Sequence, residues 1–190
     1  MTAGAETLNW WQDRTGAYTT LVTKGMAQRF GTTVKEIAAW QPGITTQEAV
    51  TLFQEQVLKP HKGGTRKVDV VVIALGLNDW ERGNGSMKAS LLSYAQQAKA
   101  AGIEVLLVTP LAPSPIFDAN GAATPIAQVV KTIRDVAAET GVALVDVYAE
   151  WQNQATRGIA PSSQLHNTFN HPDESGMKIY ADSILRFFPK

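Results

Sequence analysis

The sequence contains no cysteine, which excludes disulfides, thiolate nucleophiles and zinc-thiolate sites and leaves the redox compartment open. An excess of one charge is equally lacking, because seventeen basic residues balance seventeen acidic ones. Nucleic-acid and acidic-membrane binders carry a one-sided electrostatic footprint, so neither partner is expected, and a small or neutral one fits better. No apolar run approaches the roughly eighteen residues of a membrane span. The first twenty residues lack the basic-then-apolar order of a secretion signal. Histidine is scarce too, with three in the chain: His61, His166 and His171. They form no HExxH pattern and have no paired carboxylate nearby, so no metal and no cofactor is expected. Oligomeric state leaves no mark in the composition.

What is present suits one packed core. The 190 residues are 44% hydrophobic and 18% charged, long enough for a single domain over 1–190 and short for two. Strand patterns alternate with helix patterns, and there are no repeats or low-complexity tracts. A helix is expected from Tyr18 to Phe30, stopping at Gly31, followed by a short strand VKEIAAW over 34–40. Thr45 and Glu48 have the spacing of a capping box, which predicts a second helix running to Lys59. VDVVVIALG (68–76) is apolar apart from Asp69 and reads as a central parallel strand covered on both faces. A helix from Met87 to Ala101, a strand over 103–110, a proline-rich loop, a helix from Pro125, a strand over 142–148 and a last helix from Pro172 complete the order. This alternation predicts an α/β fold of three layers, α/β/α, doubly wound with a flavodoxin-like parallel sheet. In such a fold functional groups collect at the carboxyl ends of the strands.

Two stretches then stand out. Gly76, Leu77, Asn78 and Asp79 end the strongest strand pattern at its carboxyl end, although Asn-Asp after a strand is also ordinary turn chemistry. In NHPDESGMKIYAD (170–182), Pro172 fixes the backbone at a helix start, so His171 precedes the helix and can act as a general base. A lone histidine at a helix end is as often a cap or a surface residue.

GLND after an apolar strand, PGITT (42–46) after an earlier segment and NHPDESGMKIYAD near the end resemble, in this order and spacing, the SGNH or GDSL hydrolase superfamily of esterases, lipases and carbohydrate deacetylases. The resemblance covers nearly the whole chain. It implies the SGNH hydrolase fold, cleavage of carboxylic esters, His171 as the catalytic base, and Gly43 and Asn78 as hydrogen-bond donors to the oxyanion. An ester or acylated carbohydrate would be the substrate. The chemistry is coherent on its own terms: the tetrahedral intermediate carries a full negative charge, and a glycine amide and a carboxamide supply donors without a competing charge.

The pattern departs from the family in two places. The Gly-Asp-Ser block that carries the nucleophile does not occur, and the opening Met-Thr-Ala-Gly resembles the residues that follow it. The serine and the first strand are therefore expected just upstream of Met1; a leader lost with them would make the protein secreted or periplasmic. Family members also place an aspartate three residues before the histidine, where this chain has Thr168. Thr168, Asn167 or Asp173 remain as groups that could orient the imidazole. Trp80, Trp10 and Trp11 are candidates for the substrate rim, with core packing the ordinary alternative and the preferred one for Trp40. Whatever the acyl and alcohol parts, PLAPSPIFDANGAATP (110–125) is expected as a cleft wall. The competing class is a non-catalytic carbohydrate-binding or structural module on the same fold, favoured by the missing serine and aspartate.

Overall fold

The computed structural model describes residues 16–59, 68–83 and 85–189. Among these residues three parallel strands form one sheet in the order β1-β2-β3, with β1 at Val70–Ile73, β2 at Glu104–Val108 and β3 at Ala143–Val145. Val70 pairs with Glu104 and Ile73 with Leu107; Leu106 pairs with Ala143 and Val108 with Val145. The chain divides into two compact units. Described residues of the first lie in 38–59, 68–110 and 118–145, those of the second in 16–37, 111–117 and 146–189.

The first unit holds the sheet. Among its strands β2 has a ladder on each side and is buried from Val105 to Val108, whereas β1 buries alternate residues. Among the described residues the middle position thus belongs to β2, where the reading put 68–76 at the centre. Sequence apolarity alone reports burial, not which neighbours a strand has. Two long helices, α4 (Met87–Ala100) and α6 (Ile126–Thr140), pack together against β2, burying Leu91, Val129, Val130 and Ile133. Helix α2 (Val50–Phe53) continues as a π-helical turn, Gln54–Leu58, where one uninterrupted helix was expected. The reciprocal bonds foreseen from Thr45 and Glu48 are present: the Thr45 amide donates to Glu48 Oε2 at 2.8 Å and the Glu48 amide to Thr45 Oγ1 at 3.4 Å.

Gly76 explains why the apolar strand stops where it does. Its φ of 118° lies in a region that residues with a side chain avoid, and a Cβ there would sit 2.9 Å from Val129 Cγ1. Only glycine lets the chain leave β1 over α6 and start α3 (Leu77–Arg82) at once. The segment 34–40 forms no strand: it is extended, Ala39 is its one buried residue, and no strand among the described residues pairs with it. β-propensity without a ladder partner does not make a strand.

The second unit is helical. Helix α1 (Tyr18–Phe30) ends, as expected, at Gly31, and packs on α8 (Glu174–Leu185). Tyr18 stacks on Tyr180 at 5.1 Å, and Trp151 meets Tyr180 edge-on at 6.3 Å. The strand read over 142–148 stops at Val145, because Asp146 accepts the Ala149 amide at 3.1 Å and caps helix α7 (Val147–Thr156). One N-cap outweighs the strand preference of Val147 and Tyr148. Likewise the proline-rich segment is not loop throughout: Pro115, at a first-turn position that proline suits, opens α5 (Pro115–Asn120).

Gly176, in the first turn of α8, is the tightest approach in this unit. A Cβ there would lie 2.6 Å from Trp151 Cη2 and 2.8 Å from both the Gln164 carbonyl oxygen and Pro172 Cβ. Because a backbone oxygen cannot swing aside, Gly176→Ala is expected to destabilise the protein by about 1–3 kcal/mol. Thermal unfolding monitored by circular dichroism reads this; an unchanged midpoint refutes the tight packing.

Candidate active site

At the carboxyl end of β1 the chain enters α3, whose first turn carries Asn78 and Asp79. The PGITT stretch lies against it. Asn78 Nδ2 donates to the Ile44 carbonyl at 2.9 Å. Buried Asp79 accepts from the Thr46 amide at 3.0 Å and from its hydroxyl at 2.8 Å. The Thr46 carbonyl accepts from the Tyr94 hydroxyl at 2.7 Å. Arg82 caps the Gly43 carbonyl and pairs with Glu48 at 2.8 Å. Bonds from the Thr45 amide, then its hydroxyl, then Arg82 hold the Glu48 carboxyl below its ordinary range.

These bonds leave a telling remainder. Ile44 N–H donates to Gln41, Thr45 N–H to Glu48 and Thr46 N–H to Asp79. Of the four amides from 43 to 46, only that of Gly43 donates to no acceptor among the described residues. Gly43 is exposed and has φ 69°. The two predicted oxyanion donors, 35 positions apart, are thus brought to one place, with the backbone around the glycine pinned on every other side.

His171 belongs to the second unit. Its loop is closed by an antiparallel bridge between Leu165 and Pro172 and by the His166 amide donating to the His171 carbonyl at 2.8 Å. Asn167 fills the loop. Its Oδ1 accepts from the amides of Phe169, Asn170 and His171 at 3.0, 3.0 and 2.9 Å, and its Nδ2 reaches Asn170 Oδ1 at 3.0 Å and His171 Nδ1 at 2.5 Å. Of the three groups considered for orienting the imidazole, Asn167 is therefore in contact with it. Thr168, at φ 58°, turns its hydroxyl to the Asn167 carbonyl, 2.7 Å. Asp173 caps α8, accepting from Gly176 N at 2.9 Å and Ser175 Oγ at 2.6 Å.

Trp80 is not at a rim. It is fully buried, with Nε1 donating to Asp118 Oδ1 at 2.6 Å, and the same oxygen accepts the Ile126 amide at 2.8 Å. Its place inside α3, one residue after Asp79, turns it inward. Trp10, Trp11 and His61 lie outside the described residues. His166 is exposed. Among the described residues no group of three or more His, Asp or Glu is placed to hold a metal ion, and no helix is long and apolar enough to cross a membrane. Sequence reasoning held Thr46 and Asp79 inside its motifs without pairing them, and missed Tyr94 and Arg82. The capping-box spacing hinted that the stretch after Gly43 was ordered, but nothing local pairs it with Asp79, 33 residues away.

The profile of the GDSL-like lipase/acylhydrolase family matches residues 1–179. No curated protein matches the chain. Among solved structures, a lipase/acylhydrolase from Enterococcus faecalis superposes with a TM-score of 0.71 at 22% identity, over 98% of this chain and 91% of that one. An acetylxylan esterase from Geobacillus stearothermophilus gives 0.66 at 21% identity, over 89% of this chain and 79% of that one. Forms of that esterase altered at a serine, an aspartate or a histidine are described as catalytic mutants, with the aspartate three positions before the histidine. These likenesses show the fold, a parallel sheet with helices on both sides, as the alternation of patterns predicted.

Tyr94 offers a check on the 43–46 cluster. Burial, with a smaller contribution from the Asp79 charge, pushes its hydroxyl from the ordinary 10 up to about 12. A raised folded-state value favours the protonated form, so this contribution to stability is complete below pH 10 and is lost as pH rises from 10 through 12. Tyr94→Phe is expected to cost about 1 kcal/mol at neutral pH by orphaning the Thr46 carbonyl. It should also flatten the decline above pH 10, which urea denaturation at pH 8 and pH 11 measures. A variant as stable as the parent at pH 8 argues against the bond.

Proposed function

Because the chain belongs to the GDSL-like lipase/acylhydrolase family, we propose that it hydrolyses carboxylic esters, with acylated carbohydrates as the first substrates to test. A serine hydroxyl attacks the ester carbonyl and gives its proton to His171. The carbonyl oxygen, now an anion, receives hydrogen bonds from the Gly43 amide and Asn78 Nδ2. The bond to the alcohol breaks, the alcohol leaves with the proton from His171, and water releases the acid from the acyl-serine by the same steps in reverse.

The observation that carries this reading is the lone undonated amide of the 43–46 backbone, one residue from the carbonyl that Asn78 engages. Donors fixed before the reaction stabilise the developing charge without reorganising, which is where most of such a site's power lies. Asn78 Nδ2 spends one hydrogen on Ile44, which aims the carboxamide, and keeps a second to donate. The choice of acylated carbohydrate draws on the acetylxylan esterase among the similar structures.

No Gly-Asp-Ser occurs in the 190 residues, and the proposal places that serine on a segment joined ahead of Met1. A second reading, a carbohydrate-binding module without turnover, is favoured by an amide, Asn167, standing at the imidazole where a carboxylate would serve catalysis.

The test uses p-nitrophenyl acetate and acetylated xylo-oligosaccharides with the protein carrying the serine-bearing segment joined ahead of Met1. Hydrolysis should fall about 10²–10³-fold in Asn78→Ala, the usual loss for one oxyanion donor, and at least as far in His171→Ala. Equal rates in the parent and both variants remove the assignment. Calorimetric binding of the acetylated oligosaccharide without any turnover supports the binding module instead.

A further inference from the structure

We propose that Asn167 is a tautomer lock: it holds neutral His171 with the ring proton on Nε2, presenting a donor where a general base needs a lone pair. Asn167 Oδ1 accepts three backbone amides, from Phe169, Asn170 and His171. Turning the carboxamide over would set its NH₂ group against three N–H donors, so its orientation is fixed by the loop and not by the imidazole. The two hydrogens on Nδ2 are then committed, one to Asn170 Oδ1 and one to His171 Nδ1. A ring nitrogen that receives a hydrogen bond must offer its lone pair, and in neutral imidazole the proton then sits on the other nitrogen.

A carboxylate at the same place would do the reverse. It accepts from Nδ1–H and leaves the Nε2 lone pair available to take a proton from a hydroxyl. For His171 to act as a base through Nε2 as the structure stands, its proton must move to Nδ1. That sets two donors 2.5 Å apart, or else requires the asparagine to give up its three amide bonds. Asn167 is thus a positioning residue whose present effect is restraining. The kinetic consequence rests on the ester-hydrolase reading; the tautomer does not.

The substitution that tests this is Asn167→Asp. Asp retains the oxygen that gathers the three amides, so the loop keeps its frame, and Asn170 can turn its own amide to donate to the new oxygen. In the unsubstituted protein, long-range ¹H–¹⁵N correlation spectra taken well above the usual imidazole pKa of about 6.5 should show His171 protonated on Nε2. In Asn167→Asp they should show it on Nδ1. With an ester substrate, kcat should rise by about 10²-fold or more while KM stays within about twofold, since the opposite exchange costs a triad hydrolase on the order of 10⁴. Asn167→Ala, which removes donor and frame together, should give no such rise.

A parent ring already carrying its proton on Nδ1 overturns the lock, and this spectrum decides even where the Asp variant fails to fold. A switched tautomer without gain in kcat overturns the kinetic consequence. If no turnover is found in the parent or in Asn167→Asp with the serine-bearing segment present, the hydrolase reading has failed, and the tautomer measurement still judges the lock on its own.

Discussion

The bond from Asp79 to Thr46 is the constraint on which the first cluster depends. A buried carboxylate is costly unless its lone pairs are taken, and here the amide and hydroxyl of one threonine take them. With Thr46 also held through its carbonyl by Tyr94, the stretch that begins at Gly43 is fixed at its far end. Asn78 and Arg82 fix the near end through the carbonyls of Ile44 and Gly43. Backbone polar groups that are buried must be paired, and satisfying them one after another leaves a single amide over. The exposed glycine amide is a residue of this pairing and needs no separate device to aim it.

The histidine loop reaches its order by the same means with a different chemical result. Asn167 gathers three amides and gives two hydrogens away, so it serves the loop as an N-cap residue serves a helix, by replacing missing backbone partners. A carboxylate could gather the amides as well. What the amide changes is the sign of the group facing the ring: a donor in place of an acceptor, and a neutral group in place of a charge that would favour the imidazolium. Fold stability and catalytic base strength thus place different demands on one side chain, and the loop geometry satisfies the first.

Much of this was legible in the sequence where the rule is local. Gly31 ending α1, Pro125 before α6 and the Thr45–Glu48 pair are read from neighbours within four residues, and each is found. The strand over 34–40 was misread because a strand is defined by its partner, and apolarity did not tell that β2, among the described strands, lies between two others. Trp80 is the sharper case. Its adjacency to GLND suggested a rim, whereas helix α3 turns that position inward onto Asp118, 38 residues further on. For the candidate site the motifs gave the residue types, Gly43, Asn78 and His171. What holds them, Asp79, Tyr94 and the five bonds of Asn167, depends on contacts with no spacing to betray them.

The two clusters therefore stand at different stages of chemical readiness. Stabilising an oxyanion needs donors in place, and in the proposed site the Gly43 amide and Asn78 Nδ2 are neutral groups whose strength does not vary over physiological pH. Proton transfer needs a basic lone pair and a partner for the charge that follows, and the asparagine offers neither. On the proposed roles, the first cluster meets the demand of holding a carbonyl oxygen, and the second governs the proton transfer that breaks the ester. Recognition and turnover are then separable properties of the same residues, and a single atom of residue 167, nitrogen or oxygen, divides them.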